Sequence, residues 1–156
     1  MPGEPVVPRR ETPSRPPEVV PEFRVRLDPG THLVDARIEL DLHRSEPIHL
    51  LFRAEWGGYP GLESRLAGLE AWGASGPLDV RMNAGDLGAG HHIVETGEPE
   101  RVTIAYRMRL RPPDASILYH RASQLDPAGG HLLGGDLLPR VWIGRPRNGA
   151  QPARIW

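Results

Sequence analysis

The residues of this chain best suited to metal or proton chemistry are its seven histidines, and their spacing decides what they can do. His91 and His92 are neighbours, so on a strand they point to opposite faces and do not chelate together. His43 and His49 flank a turn at Ser45-Glu46-Pro47; paired across a hairpin they would approach each other, with Glu46 able to join them. Neither arrangement matches His-Glu-x-x-His, in which two helical histidines hold zinc and the glutamate activates water. Solvated or hydrogen-bonded histidine is therefore the expectation, with no metal site in this chain. Gly85-Asp-Leu-Gly-Ala-Gly90 has the glycine density of a phosphate cradle but lacks the following Lys-Ser/Thr and a strand-helix context, so it is expected to be a turn. Ser75 lies in Ala-Ser-Gly-Pro, again turn chemistry, and no Gly-x-Ser-x-Gly elbow exists. Glu98 and Glu100 flank Pro99 as solvated acids. Without cysteine there is no disulfide, thiolate or cysteine-type zinc site. No catalytic residue emerges, and the chain is expected not to be an enzyme.

Two aromatics offer a binding role instead. Trp56 and Tyr59 sit in Glu55-Trp-Gly-Gly-Tyr-Pro-Gly61, a loop from which side chains project at a domain rim. Aromatic platforms of this kind take sugar rings or peptides. The competing expectation is that Trp56 and Trp72 close the ends of the core.

Such side chains must be positioned by strands. In Phe23-Arg-Val-Arg-Leu27 apolar and charged residues alternate, placing Phe23, Val25 and Leu27 on one face. Asp28-Pro-Gly30 turns the chain. From Leu33 to Leu42 the alternation continues, with Val34, Ala36, Ile38, Leu40 and Leu42 on one side and Asp35, Arg37, Glu39 and Asp41 on the other; the two runs predict a hairpin. Ile48–Phe52 predicts a third strand. Leu62, Leu66 and Leu69 recur at helical spacing, but Gly61 and Gly68 each weaken a helix by about 1 kcal/mol, and a strand or irregular connection ending at Trp72 is preferred. Leu78–Met82 and His92–Glu95 are further short strands. Val102, Ile104, Tyr106, Met108 and Leu110 share a face in Arg101–Arg111, a run long enough to lie centrally in a sheet. Past Pro112-Pro113 the pattern thins to the apolar pieces Ile117–Tyr119, Leu132-Leu133 and Leu137–Ile143.

Composition agrees. Gly and Pro number 18 each, and the glycines fall between apolar runs. Seven prolines crowd Met1–Pro21, which offers little to bury and is expected to remain an extended, disordered tail. Residues 22–156 then form one domain: all-β, a two-sheet antiparallel β-sandwich of seven to nine strands. Every basic residue is Arg, yet the net charge of −1 removes the case for nucleic acid. No run of about 18 apolar residues predicts a membrane span, so no membrane partner is expected. Met1–Arg10 lacks the apolar stretch of a secretory signal, a pattern compatible with cytoplasm and periplasm alike. The apolar Ile155-Trp156 end either packs back onto the sandwich or meets a following domain.

Phe23-x-Val-x-Leu-Asp-Pro29, then Val34-x-Ala-x-Ile-x-Leu40, Trp56-Gly-Gly-Tyr59, Val102-Thr-Ile-Ala-Tyr106 and Gly130-His-Leu-Leu-Gly-Gly-Asp-Leu-Leu-Pro139 follow one another in order. Taken together, from Phe23 to Trp156, this pattern resembles the N-terminal domain of the M61 glycyl-aminopeptidase family and of its M1 relatives. The resemblance implies a non-catalytic accessory domain that packs on a gluzincin catalytic domain, in cis or in trans, and walls part of its substrate cleft. It implies zinc in that catalytic domain and no cofactor in this chain. In M1 relatives a polar residue of this domain helps hold the substrate's free amine, and Gln124 or Asp126 would stand in that place here. The alternative is a free-standing β-sandwich module that binds peptide or carbohydrate through Trp56 and Tyr59.

Overall fold

The computed structural model describes residues 18–56, 58–111, 122–145 and 154–156. The proline-rich segment up to residue 17 and the apolar Ile117–Tyr119 run lie outside the described residues, as does the side chain of Tyr59.

β1 (Glu22–Asp28) and β2 (Leu33–Asp41) form the expected hairpin, in register from Glu22 opposite Glu39 to Asp28 opposite Leu33. The Asp28 carboxylate closes the turn by accepting the Gly30 N–H at 3.1 Å. β3 (Ile48–Leu51) is followed by a ribbon of two-residue strands, β4 (Glu55–Trp56) and β5 (Tyr59–Pro60). A 3-10 turn, Leu62–Arg65, leads into β6 (Leu66–Gly73), β7 (Gly76–Leu78) and β8 (Val80–Met82). β9 (His91–Val94) and β10 (Arg101–Arg109) come next. The hairpin of β11 (Gln124–Asp126) and β12 (Gly129–His131) precedes one helical turn, α1 (Gly134–Leu137), then β13 (Arg140–Ile143) and β14 (Arg154–Ile155). These strands are more numerous and shorter than the seven to nine expected, because two-residue and three-residue ribbons fill connections that looked like plain loops.

Two sheets hold the domain together. One runs β14-β1-β2-β10-β6-β7 and the other β13-β3-β9-β8. Within them every pairing is antiparallel except β1 with β14. Inward residues of both sheets, among them Val34, Ile38, Ile104 and Met108 from the first and Ile48, Leu50 and Val94 from the second, form one core. The β-sandwich expected from alternation is thus the fold observed. β10 lies between β2 and β6, as its length suggested, and Ile38 stands directly opposite Ile104. Both are wholly buried, while Arg37 is exposed.

Alternation weakens along β1, where Phe23 is 2% exposed but Leu27 40%. β14 pairs only with Glu22 and Phe23, so the second half of β1 is itself a sheet edge. Ahead of β1, Val19 packs against the core and Pro21 is buried. Trp72 lies opposite Thr103 on the outer face of the larger sheet, and Trp56 is 47% exposed, so neither closes the core as one reading expected. Phe52 takes that place, with its ring edge-on to Tyr106 at 5.0 Å. Tyr106 reaches across to donate its hydroxyl to the Leu137 carbonyl at 2.8 Å, and burial pushes its phenol far above the ordinary range.

Candidate functional site

One cleft gathers polar side chains from segments far apart in sequence. It is lined by Pro60, Leu62, Ser64 and Arg65 on one wall, and by Arg111, Ser123 and Gln124 on the other. Its cavity volume is about 50 Å³, and it is partly open to solvent.

The first wall begins at Gly61, whose φ of 75° suits glycine and sets the chain into the 3-10 turn. Ser64 donates its hydroxyl back to the Gly61 carbonyl at 2.6 Å, and Arg65 donates Nε–H to the Leu62 carbonyl at 3.0 Å. Leu62 is completely buried beneath. The turn is thereby fixed from both ends, and the Arg65 guanidinium is aimed across the cleft floor.

There it meets Asp136, from α1. Arg65 Nη1 lies 2.8 Å from Oδ2 and Nη2 lies 2.5 Å from Oδ1, a two-point clasp between side chains that are 9% and 1% exposed. The same carboxylate accepts the Ser123 backbone N–H at 2.7 Å. Ser123 in turn takes the Leu133 N–H on its hydroxyl at 2.9 Å. Burial would raise the Asp136 carboxyl, but the Arg65 and Ser123 hydrogen bonds outweigh it and hold the group below the usual 3.8. One carboxylate therefore joins the 3-10 turn, the segment entering β11 and α1.

Gln124 follows Ser123 directly. It is 3% exposed, pairs opposite His131 across the hairpin, and lines the cleft. Two histidines steady this wall: His131 donates Nε2–H to the Ala122 carbonyl at 2.8 Å, and His32, from the β1–β2 turn, donates Nδ1–H to the Leu125 carbonyl at 2.6 Å.

Asp126 has a different place. Its Oδ1 accepts the N–H groups of Ala128 and Gly129 at 2.8 and 3.0 Å, which closes the β11–β12 turn. Trp56 stands on the β4–β5 ribbon with the Arg53 guanidinium 4.2 Å above its ring, and the backbone of Tyr59 pairs opposite it. Of the four residues singled out from sequence, Gln124 lines the cleft; the Tyr59 backbone adjoins its rim through Pro60; Trp56 and Asp126 are not among its lining residues.

Arg65 and Asp136 escaped the sequence reading because they lie 71 residues apart. A lone charge in Leu132-Leu-Gly-Gly-Asp-Leu-Leu138 was the available signal, since a carboxylate set among leucines needs a buried partner. The expected approach of His43 to His49 does not form. β2 and β3 belong to different sheets, so Ser45–Pro47 crosses between layers and is no hairpin turn. His49 meets His91 instead, Nδ1 to Nε2 at 2.9 Å. Among the described residues no three His, Asp or Glu side chains converge as a metal site.

No protein-family model matches this sequence, and no curated protein matches it. A solved structure does: an aminopeptidase N family protein from Idiomarina loihiensis superposes with a TM-score of 0.61 at 16% identity, over 78% of this chain and 20% of that one. The chain thus spans about a fifth of that protein's length. At this identity the likeness shows the fold, and the β-sandwich is one that an aminopeptidase N family protein also carries.

Proposed function

We propose that this chain is a non-catalytic accessory domain of a metallo-aminopeptidase of the M61/M1 type, seated on a gluzincin catalytic domain and contributing one wall of its substrate cleft. The observation that carries the reading is the match of 78% of this chain to a fifth of an aminopeptidase N family protein. The cleft is in keeping with it: Gln124 lines the cleft on a wall braced by Arg65, Asp136, His131 and His32, so its position is fixed. A neutral amide oxygen accepts from an ammonium without the competing proton chemistry of a carboxylate. Under this reading zinc is held by the catalytic domain. The described residues of this chain provide no ligand set for it.

The test is reconstitution with a His-Glu-x-x-His catalytic domain encoded in frame or beside this chain. Alone, the chain should hydrolyse no aminoacyl amide, with or without added zinc, because the reaction needs a metal to activate water. Combined with the catalytic domain it should raise kcat/KM for substrates with a free amine, and Gln124→Ala should lower it by about 10–100-fold, mostly in KM. Chelator-sensitive hydrolysis by the chain alone, or a catalytic domain indifferent to it, overturns the reading.

The exposure of Trp56 favours a second reading, a module binding peptide or carbohydrate. Calorimetric titration with oligosaccharides and peptides separates the two, since only the second expects saturable binding that Trp56→Ala abolishes.

A further inference from the structure

The outer face of the smaller sheet carries a chain of side-chain hydrogen bonds that the cleft does not use. β3 and β9 are in register with His49 opposite Ile93 and Leu51 opposite His91, which puts both histidines on the face turned away from the core. Their rings lie end to end and nearly coplanar, with centroids 5.2 Å apart and planes 17° from parallel. His49 Nδ1 and His91 Nε2 are 2.9 Å apart, and His91 Nδ1 is 3.3 Å from the Asn83 amide nitrogen.

One arrangement of protons satisfies every member. Asn83 Nδ2–H donates to His91 Nδ1, and His91 Nε2–H donates to His49 Nδ1. Both rings are then neutral. An added proton on His49 sets its Nδ1–H against His91 Nε2–H. An added proton on His91 sets its Nδ1–H against the Asn83 amide N–H and puts a charge on a residue only 3% exposed; burial opposes that charge and the Asn83 backbone favours it. One end of this chain is a structural junction. Asn83 follows β8 and donates its backbone N–H to the His91 carbonyl at 2.8 Å.

We propose that the Asn83–His91–His49 chain is a pH-sensitive latch: with both rings neutral it fastens the β8–β9 connection to the middle of the smaller sheet, and protonation of the pair releases it.

The charged groups around it come from each neighbouring element. β8 supplies Arg81, paired with Glu95 after β9 at 3.1 Å. Glu46 stands beside Gly144, Arg140 on β13 lies opposite Leu51, and His92 points to the other face of β9. Burial lowers both His49 and His91 from 6.5; Glu95 works against that at His49, and Arg81 works with it at both rings. The unfolded chain consequently takes up protons first as pH falls. Stability is intact above 6.5 and declines as pH drops through that value toward the lower values of the folded rings.

The experiment is a titration of the full chain from about pH 8 to about pH 5, within the range where histidine charge changes. Histidine ring NMR follows protonation, and amide exchange, corrected for intrinsic rates, follows the latch. His49 and His91 should titrate as a coupled pair with midpoints below 6.5. Protection of the Asn83 amide should fall about tenfold over that range while Ile104 stays protected. His91→Leu should remove the pH dependence. Independent titration of both rings at the ordinary value, or Asn83 protection unchanged across the range, overturns the proposal even if the variant fails to fold.

Discussion

Replacing Asp136 with Asn is the most searching test of how the cleft is built. The carboxylate takes two N–H groups of Arg65 and one of Ser123 at 2.5–2.8 Å, and the two side chains are 1% and 9% exposed. An amide has one acceptor oxygen, and its NH2 would face donors. Asp136→Asn therefore strands a guanidinium away from water and leaves one further N–H unpaired, a loss of about 3–5 kcal/mol for breaking a buried ion pair. Against the roughly 5–15 kcal/mol of a domain this size, that is a large fraction. Arg65→Met with Asp136→Leu removes both charges, and the residual cost is about 1–3 kcal/mol for the unpaired Ser123 N–H. Urea denaturation of the wild type, Arg65→Met, Asp136→Leu and the double variant, with unchanged m-values, closes a double-mutant cycle whose coupling should exceed about 1 kcal/mol. The pH dependence has a definite sign. Because Asp136 is held below 3.8 in the folded state, its contribution is present above that value and is lost as pH falls below it. A cost for Asp136→Asn under about 1 kcal/mol, or a coupling near zero, would refute the claim that this carboxylate ties the cleft walls together.

Ile38→Ala and Ile104→Ala should each cost about 2–5 kcal/mol by chemical denaturation, and Arg37→Ala and Thr103→Ala, on the opposite face, under about 0.5 kcal/mol. Since Ile38 and Ile104 are direct cross-strand partners, the double substitution should depart from additivity. Gly90→Ala should destabilise by about 1–3 kcal/mol in the same assay, because a Cβ there would strike the Phe52 carbonyl, a backbone atom that cannot give way. Tyr106→Phe leaves the buried Leu137 carbonyl without its donor and should lower stability by about 1–3 kcal/mol while preserving the far-ultraviolet circular dichroism spectrum.

What the sequence could and could not say follows from the range of each interaction. β2 and β10 were legible because nine residues of strict alternation, with one face against a core, leave a single register. The Leu62–Trp72 segment shows how a local pattern misleads. Leu66 and Leu69 are three apart, a helical interval, yet both face inward from a strand. Leu69 pairs with Tyr106, Gly68 with Arg107 and Leu66 with Met108, so Ala67 is the extra residue of a β-bulge that resets the alternation. The bulge leaves no mark in hydrophobicity except the broken period itself. Gln124 was named from a family likeness alone, whereas its buried setting depends on partners contributed by the β1–β2 turn, the 3-10 turn and α1. The same holds for His49, whose partner lies 42 residues on, across a sheet rather than across the nearby turn. Alternation specifies which face of a strand is buried, but which polar groups meet depends on sheet order. In a sandwich whose chain crosses between layers at Ser45–Pro47, sheet order is decided by the summed packing of both faces and not by any one segment.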